Sequence, residues 1–197
     1  MTLLRIALVG SALIPAADTS RAVELLPYQA PGWKYHQVPW GDPLAATFYS
    51  TSFDDSGWSI GQAGFGNFGE VNEPEPSCTA VYTVHTQWDS ETDILLRRYF
   101  TASSALPVTI YLSIDNDATV YVNGTVVLTV EHAGCPFPDD FSVVVPTSAL
   151  MPSGFNLLAI KAHDRNLFSF VDARIDGEFP PLGVKASTWG AIKALYR

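Results

Sequence analysis

The sequence predicts an all-β antiparallel sandwich, and three observations predict it. Residues 109–114 (Thr-Ile-Tyr-Leu-Ser-Ile) and 119–122 (Thr-Val-Tyr-Val) are β-branched and aromatic, with alternating character. That period of two puts one face on a core and the other toward solvent. Asn123-Gly124 then separates two such runs. This dipeptide is a strong hairpin signal, because a type I′ turn needs two residues tolerant of positive φ. Finally, 14 Gly and 14 Pro are spread between short apolar runs, the punctuation of a multi-strand β domain.

Taken in order, residues 1–30 read as a leading arm that ends at Pro27, Pro31 and Gly32. Trp33 to Val38 alternates as a first strand, Pro39 to Pro43 is a turn, and Phe48 to Ser52 reads as extended. Phe53-Asp54-Asp55-Ser56-Gly57-Trp58 is a turn flanked by aromatics. Residues 61–69 are glycine-rich, 70–79 form an acidic proline loop, and 80–84 suggest a strand. Further strands are expected near 94–101, 108–115, 118–123, 125–131, 141–145, 155–163 and 168–176. A single helical turn at Ser148-Ala149-Leu150 joins two of them. Beyond a proline-marked linker, Ser187 can cap a short C-terminal helix whose Trp189, Ile192 and Tyr196 share one face. Nine residues are too few for a helix stable alone in water, so this tail packs on its own domain or docks on a partner. The expected organisation is an arm (1–30), a sandwich domain (31–177) and a linker with an amphipathic tail (178–197).

Hydrophobic residues make up 47% of the 197, against 16% charged, so the chain can bury a full core. Its net charge of −9 argues against phosphate backbones and anionic membranes as partners. There is no apolar run of about 18 residues for a transmembrane helix. Residues 6–14 are apolar behind Arg5, as in a secretory signal. Cleavage after Ala16 or Ala17 would put Ile14 or Pro15 at the −3 position, a poor fit, so the arm reading is preferred. Cys78 and Cys135 both fall in turn-rich segments. Paired, they would staple two loops and contribute about 3–4 kcal/mol in the chain-entropy account; two free thiols is the alternative.

Gly57-Trp58-Ser59-Ile60-Gly61 matches a nucleophile elbow, but lacks the preceding strand and following helix that the elbow requires. Gly64-Phe65-Gly66-Asn67-Phe68-Gly69 matches a dinucleotide fingerprint with prolines where the helix should begin. Here the glycines permit tight backbone while Phe65 or Phe68 enters the core. The histidines 36, 85, 132 and 163 are isolated in sequence, without metal-ligand spacing. Asp115-Asn116-Asp117 and Asp54-Asp55 offer oxygens for a structural Ca²⁺, but also suit turns that bond their own backbone, which is the preferred reading. No cofactor is expected. No carboxylate pair is singled out for glycoside hydrolysis, so no enzyme activity is expected. Asn123-Gly124-Thr125 also fits a glycosylation sequon and reads first as turn chemistry.

Four blocks occur in a fixed order: residues 53–66 (Phe-Asp-Asp-Ser-Gly-Trp-Ser-Ile-Gly-Gln-Ala-Gly-Phe-Gly), 96–101 (Leu-Arg-Arg-Tyr-Phe-Thr), 114–124 (Ile-Asp-Asn-Asp-Ala-Thr-Val-Tyr-Val-Asn-Gly) and 155–164 (Phe-Asn-Leu-Leu-Ala-Ile-Lys-Ala-His-Asp). Together they resemble the galactose-binding-like jelly rolls, sugar-binding β-sandwich domains appended to glycoside hydrolases and also found in phage tail proteins. The resemblance covers about residues 33–177. It implies an antiparallel jelly roll in which Trp58, Phe65, Tyr99, Phe100, Tyr121 and Leu158 are core residues. The family's ligand contacts come from variable loops, so no binding residue carries over by motif. Sugars stack on aromatics and bond to polar neighbours, so the loop candidates are Trp88, His132, Phe137, Asp164, Arg165 and Asn166. The expected function is a non-catalytic structural or assembly component of a phage virion tail that also binds host-surface carbohydrate. Trp189, Ile192 and Tyr196 would make its assembly contacts, with copies of itself or other virion proteins. The alternative is a secreted, lectin-like carbohydrate-binding module.

Overall fold

Alternating apolar positions become the inner faces of two stacked sheets. The computed structural model describes residues 21–67, 83–102, 106–132, 134–152, 154–165 and 168–179. Its strands are β1 (Arg21–Leu26), β2 (Pro31–Pro39), β3 (Ser59–Gln62), β4 (Phe65–Gly66), β5 (Thr86–Gln87), β6 (Thr92–Thr101), β7 (Val108–Asp115), β8 (Asp117–Val122), β9 (Thr125–Glu131), β10 (Phe141–Val144), β11 (Phe155–His163) and β12 (Phe170–Phe179). One sheet runs β10-β7-β12-β4-β5, with β1 on β12; the other runs β3-β2-β6-β11-β8-β9. The long pairings are antiparallel, and the short β4–β5 contact is parallel. The protein is therefore an all-β sandwich. Ala22–Phe179 form one compact unit. The proposed tail helix and most of the arm lie outside the described residues.

Ile110, Leu112, Ile114, Val171, Ala173 and Ile175 of the first sheet meet Ile94, Leu96, Val120, Leu158 and Ile160 of the second. Each fully buried Leu, Ile or Val contributes about 1.5–3 kcal/mol over exposure. Gly64 and Gly66 let β4 approach β12 closely. A Cβ on Gly64 would lie 2.6 Å from the Phe170 ring, and one on Gly66 2.5 Å from the Ser169 carbonyl. The glycine-rich run is thus a close-packing device, with Phe65 in the core.

Four readings change. β1 lies in the segment expected to be an arm, yet pairs with β12. Residues 48–52 are turns rather than extended chain. Of the strand expected over 80–84, residues 80–82 lie outside the described residues, and Thr83 makes only an isolated bridge. Tyr99 is not core: it is 42% exposed and stacked on Phe155, ring centroids 5.1 Å apart. On β6 the inward residues are Ile94, Leu96 and Phe100, so the alternation turns Tyr99 outward.

Residues 40–58 fold back as a pad over the outer face of the second sheet. Asp42 accepts from Leu44 N at 2.8 Å and caps a 3₁₀ turn, Pro43–Ala46. Phe48 then packs against Val38, Leu95 and Ala159, with Tyr49, Trp58 and Tyr121 around it. The Phe-Asp-Asp-Ser-Gly-Trp block explains itself here. Asp54 accepts from Ser56 N at 2.9 Å, which holds its carboxyl below the usual range, while Asp55 pairs with buried Arg97 at 2.7 Å. Trp58 stacks between Phe48 and His36.

Asp172 is buried on the outer side of β12. Desolvation pushes its carboxyl up to about 7, against the opposing pull of the Gln29 and Ala173 amides that donate to it. A raised folded-state value means the native protein holds this proton more tightly than the unfolded chain. Its contribution is therefore complete below about pH 4 and is lost as pH rises toward 7, about 4 kcal/mol in all. The expected result is that wild type loses about this much stability relative to Asp172→Asn between pH 4 and 8. Parallel stability–pH curves from urea denaturation would contradict it.

Candidate functional site

Proline ends β2 and throws an aromatic out of the sheet. Pro39 cannot donate to a ladder, and Asp42 N donates to Pro39 O at 3.1 Å across a turn closed by Gly41 at φ +80°. Trp40 is left at the turn tip with 74% of its surface exposed. Its ring lies 5.5 Å from that of His163, tilted by 31°.

Beside it, lateral register assembles a polar row on the outer face of the second sheet. Asp93 of β6 lies opposite His163 of β11, His163 opposite Asp117 of β8, and Asp117 opposite Glu131 of β9. The next row holds Lys161, Thr119 and Thr129. The pad covers the middle of this sheet face and leaves these rows open. With Trp40 as a wall, all of these residues except the buried Asp93 line a groove of about 230 Å³.

Asp93 is fully buried and organises the floor. It accepts from His163 Nδ1 at 2.7 Å and pairs with Lys161 Nζ at 3.1 Å. The Nδ1 bond fixes the imidazole and leaves Nε2 as the ring atom available to a ligand. Arg165 forks onto Asp117, Nε to Oδ2 at 2.8 Å. Glu131 is exposed. The groove therefore offers donors, acceptors, hydroxyls and one aromatic face, which is the chemistry needed to hold a polyhydroxylated ligand.

The sequence-predicted residues distribute unevenly. Trp88 cannot be a stacking platform: it is 0% exposed, and its Nε1 donates to Thr92 Oγ1 at 3.1 Å. A large ring beside two short β segments is drawn into the core even within a loop. Asp164 is also fully buried, and its carboxylate takes the Glu91 amide at 2.7 Å. Arg165 and His132 come together at the groove rim, where Asp117 accepts both the Arg165 guanidinium and the His132 amide. The His132 ring itself packs edge-on against Phe141. Phe137 is exposed, in a turn where its amide donates to Asp140. Asn166, Trp189, Ile192 and Tyr196 lie outside the described residues. Cys135 is disulfide-bonded; Cys78, its expected partner, lies outside the described residues.

The suggested Ca²⁺ oxygens are engaged elsewhere: Asp54 with Ser56, Asp55 with Arg97, Asp117 with Arg165. No group of three or more His, Cys, Asp or Glu placed to hold a metal ion occurs among the described residues. Nothing in the sequence singled out Trp40, Asp93, Glu131 or Lys161, and His163 stood there only as an isolated histidine without metal-ligand spacing. Two weaker signals were present. Trp40 sits within a Pro-Trp-Gly-Asp-Pro turn, and Lys161 and His163 alternate with Ile160 and Ala162.

No family model and no curated protein matches the sequence. Solved structures share its fold. A calcium-binding mutant of Bacteroides uniformis β-glucuronidase 2 superposes with a TM-score of 0.53 at 15% identity, over 81% of this chain and 18% of that one. A Bacteroides uniformis β-glucuronidase gives 0.51 at 16% identity, over 81% and 18%. A glycosyl hydrolase family 2 member from Bacteroides cellulosilyticus gives 0.50 at 16% identity, over 79% and 20%. This chain thus spans at most a fifth of those enzymes. At such identity the likeness is one of fold, a β-sandwich that occurs within glycoside hydrolases.

Proposed function

We propose that this chain is a non-catalytic β-sandwich module that binds carbohydrate in the groove beside Trp40. The observation that carries the reading is the exposed Trp40 ring standing over fixed polar groups: Lys161 and His163, both held by buried Asp93, with Thr119, Thr129 and Glu131 alongside. An indole face covers the C–H side of a sugar ring, while such neighbours bond its hydroxyls. The presence of the same fold inside glycosidases supports this reading. A virion-tail setting with host glycans as targets, and a secreted lectin-like setting, both require this groove. The residues expected to make assembly contacts, Trp189, Ile192 and Tyr196, lie outside the described residues.

A glycan array followed by calorimetry tests the proposal. Wild type is expected to retain specific glycans, and Trp40→Ala to weaken them at least tenfold, about 1.4 kcal/mol. Because Trp40 is mostly exposed, thermal stability should move by no more than about 0.5 kcal/mol. Equal binding by both proteins, or no binding by wild type, would remove the proposal's basis.

A further inference from the structure

We infer that Trp40 divides two subsites, and that the bound carbohydrate is an uncharged oligosaccharide crossing it rather than a single sugar. The inference rests on the proposed carbohydrate function. The indole stands out from the sheet with His163 toward one side. Against it lies a second groove of about 370 Å³, lined by Gln37, Val38, Pro39, Asp89, Glu91 and Thr92. The first groove alone, about 230 Å³, is smaller than the roughly 300 Å³ at which ligand pockets usually begin. Two grooves sharing one aromatic wall suit a chain of rings.

The second groove is preorganised. Gln37 acts as a strut: its Nε2 donates to Gln87 O at 3.0 Å, and its Oε1 accepts from Asp89 N at 2.8 Å. Thr92 Oγ1 takes the buried Trp88 Nε1 and itself donates to Asp89 O at 2.6 Å. Glu91 adopts φ +58°, with its amide on buried Asp164. These bonds hold the backbone of the loop, on which exposed Asp89 and Glu91 line the groove. Fixing the loop backbone before binding reduces the ordering cost. The side chains lining this groove include two carboxylates and no cation, so it accepts hydroxyl donors and repels uronate units.

Calorimetry on the full chain decides it, using β-1,4-linked gluco-, manno-, xylo- and galacto-oligosaccharides of one to five units, with oligogalacturonates of the same lengths. In at least one neutral series the Kd should fall at least tenfold between one and three units. Oligogalacturonates should bind at least tenfold more weakly than that series. The double variant Asp89→Ala, Glu91→Gly keeps the left-handed backbone at 91 and leaves the first groove intact; it should abolish the length gain while keeping short-sugar binding. Length-independent binding, a gain that survives the double variant, or equal uronate binding overturns the inference and leaves the carbohydrate function standing. Failure of all four neutral series overturns it as well. An array with no bound glycan at all removes the function itself.

Discussion

Arg97→Met is expected to destabilise the protein by about 3–5 kcal/mol, the usual cost of breaking a buried ion pair by removing one partner. Arg97 is 1% exposed on the outward side of β6, beneath the pad. Its Nε donates to Asp55 at 2.7 Å, its Nη1 donates to the carbonyls of Phe48 and Ser50, and Phe53 lies 5.4 Å from its guanidinium. Methionine fills the volume but satisfies none of these acceptors, which then remain desolvated. Part of the effect should be pairwise with Asp55. Asp55→Asn in the Arg97→Met background should cost at least about 1 kcal/mol less than the same change in wild type. Urea denaturation checks both numbers, and a loss below about 1 kcal/mol would show that packing alone holds the pad. The consequence reaches function, since the pad begins at Trp40. Its loosening should weaken carbohydrate binding in the variant even where the domain remains folded.

Asn156→Ala is expected to cost about 3–4 kcal/mol. Asn156 is fully buried and uses its whole amide. Its Oδ1 accepts from Met151 N at 2.7 Å and from Asn123 Nδ2 at 2.9 Å, while its Nδ2 donates to Ala102 O and Gly154 O. Alanine strands several buried groups at about 1–3 kcal/mol each, partly relieved by relaxation. For a chain of this length the melting temperature should fall by roughly 10 °C. Asn156→Asp is nearly isosteric yet turns an acceptor toward two carbonyls, so it should cost at least as much at pH 7. A smaller loss in the aspartate variant than in alanine would mean that the amide donors do not matter. The same network accounts for Asn123. Its Nδ2 donates to Ala149 O and Asn156 Oδ1, and its Oδ1 takes the Leu157 amide. The sequon asparagine is a latch between hairpin and loop, and its φ of +50° serves the turn.

The strands from β6 to β12 were legible because they are long enough to show their own alternation. The Asn-Gly hairpin was legible because its chemistry is local. β1 was not: Arg21-Ala22-Val23-Glu24-Leu25-Leu26 alternates weakly between prolines and a polar stretch, and becomes a strand only because β12 offers it an edge. The motif residues Asp55, Arg97 and Asn123 proved structural, each satisfied by a partner more than 25 residues away in sequence.

The candidate site divides the same way. That Trp40 sits in a turn follows from its neighbours in sequence, two prolines and a glycine that bar it from a sheet, while its exposure is a property of the fold. That Trp88 must be buried does not follow in this way, because its loop looks equally polar until β4 and β6 close around it. Local chemistry dictated which residues could face inward, since side-chain direction in a strand follows a local period of two. Which outward residues became neighbours was left to the tertiary structure. Asp93, His163, Asp117 and Glu131 stand in one row only because β6, β11, β8 and β9 pair in one register. Register is set by cooperative burial of the opposite face and by turn geometry far along the chain, and a shift of one residue would turn every member of that row into the core.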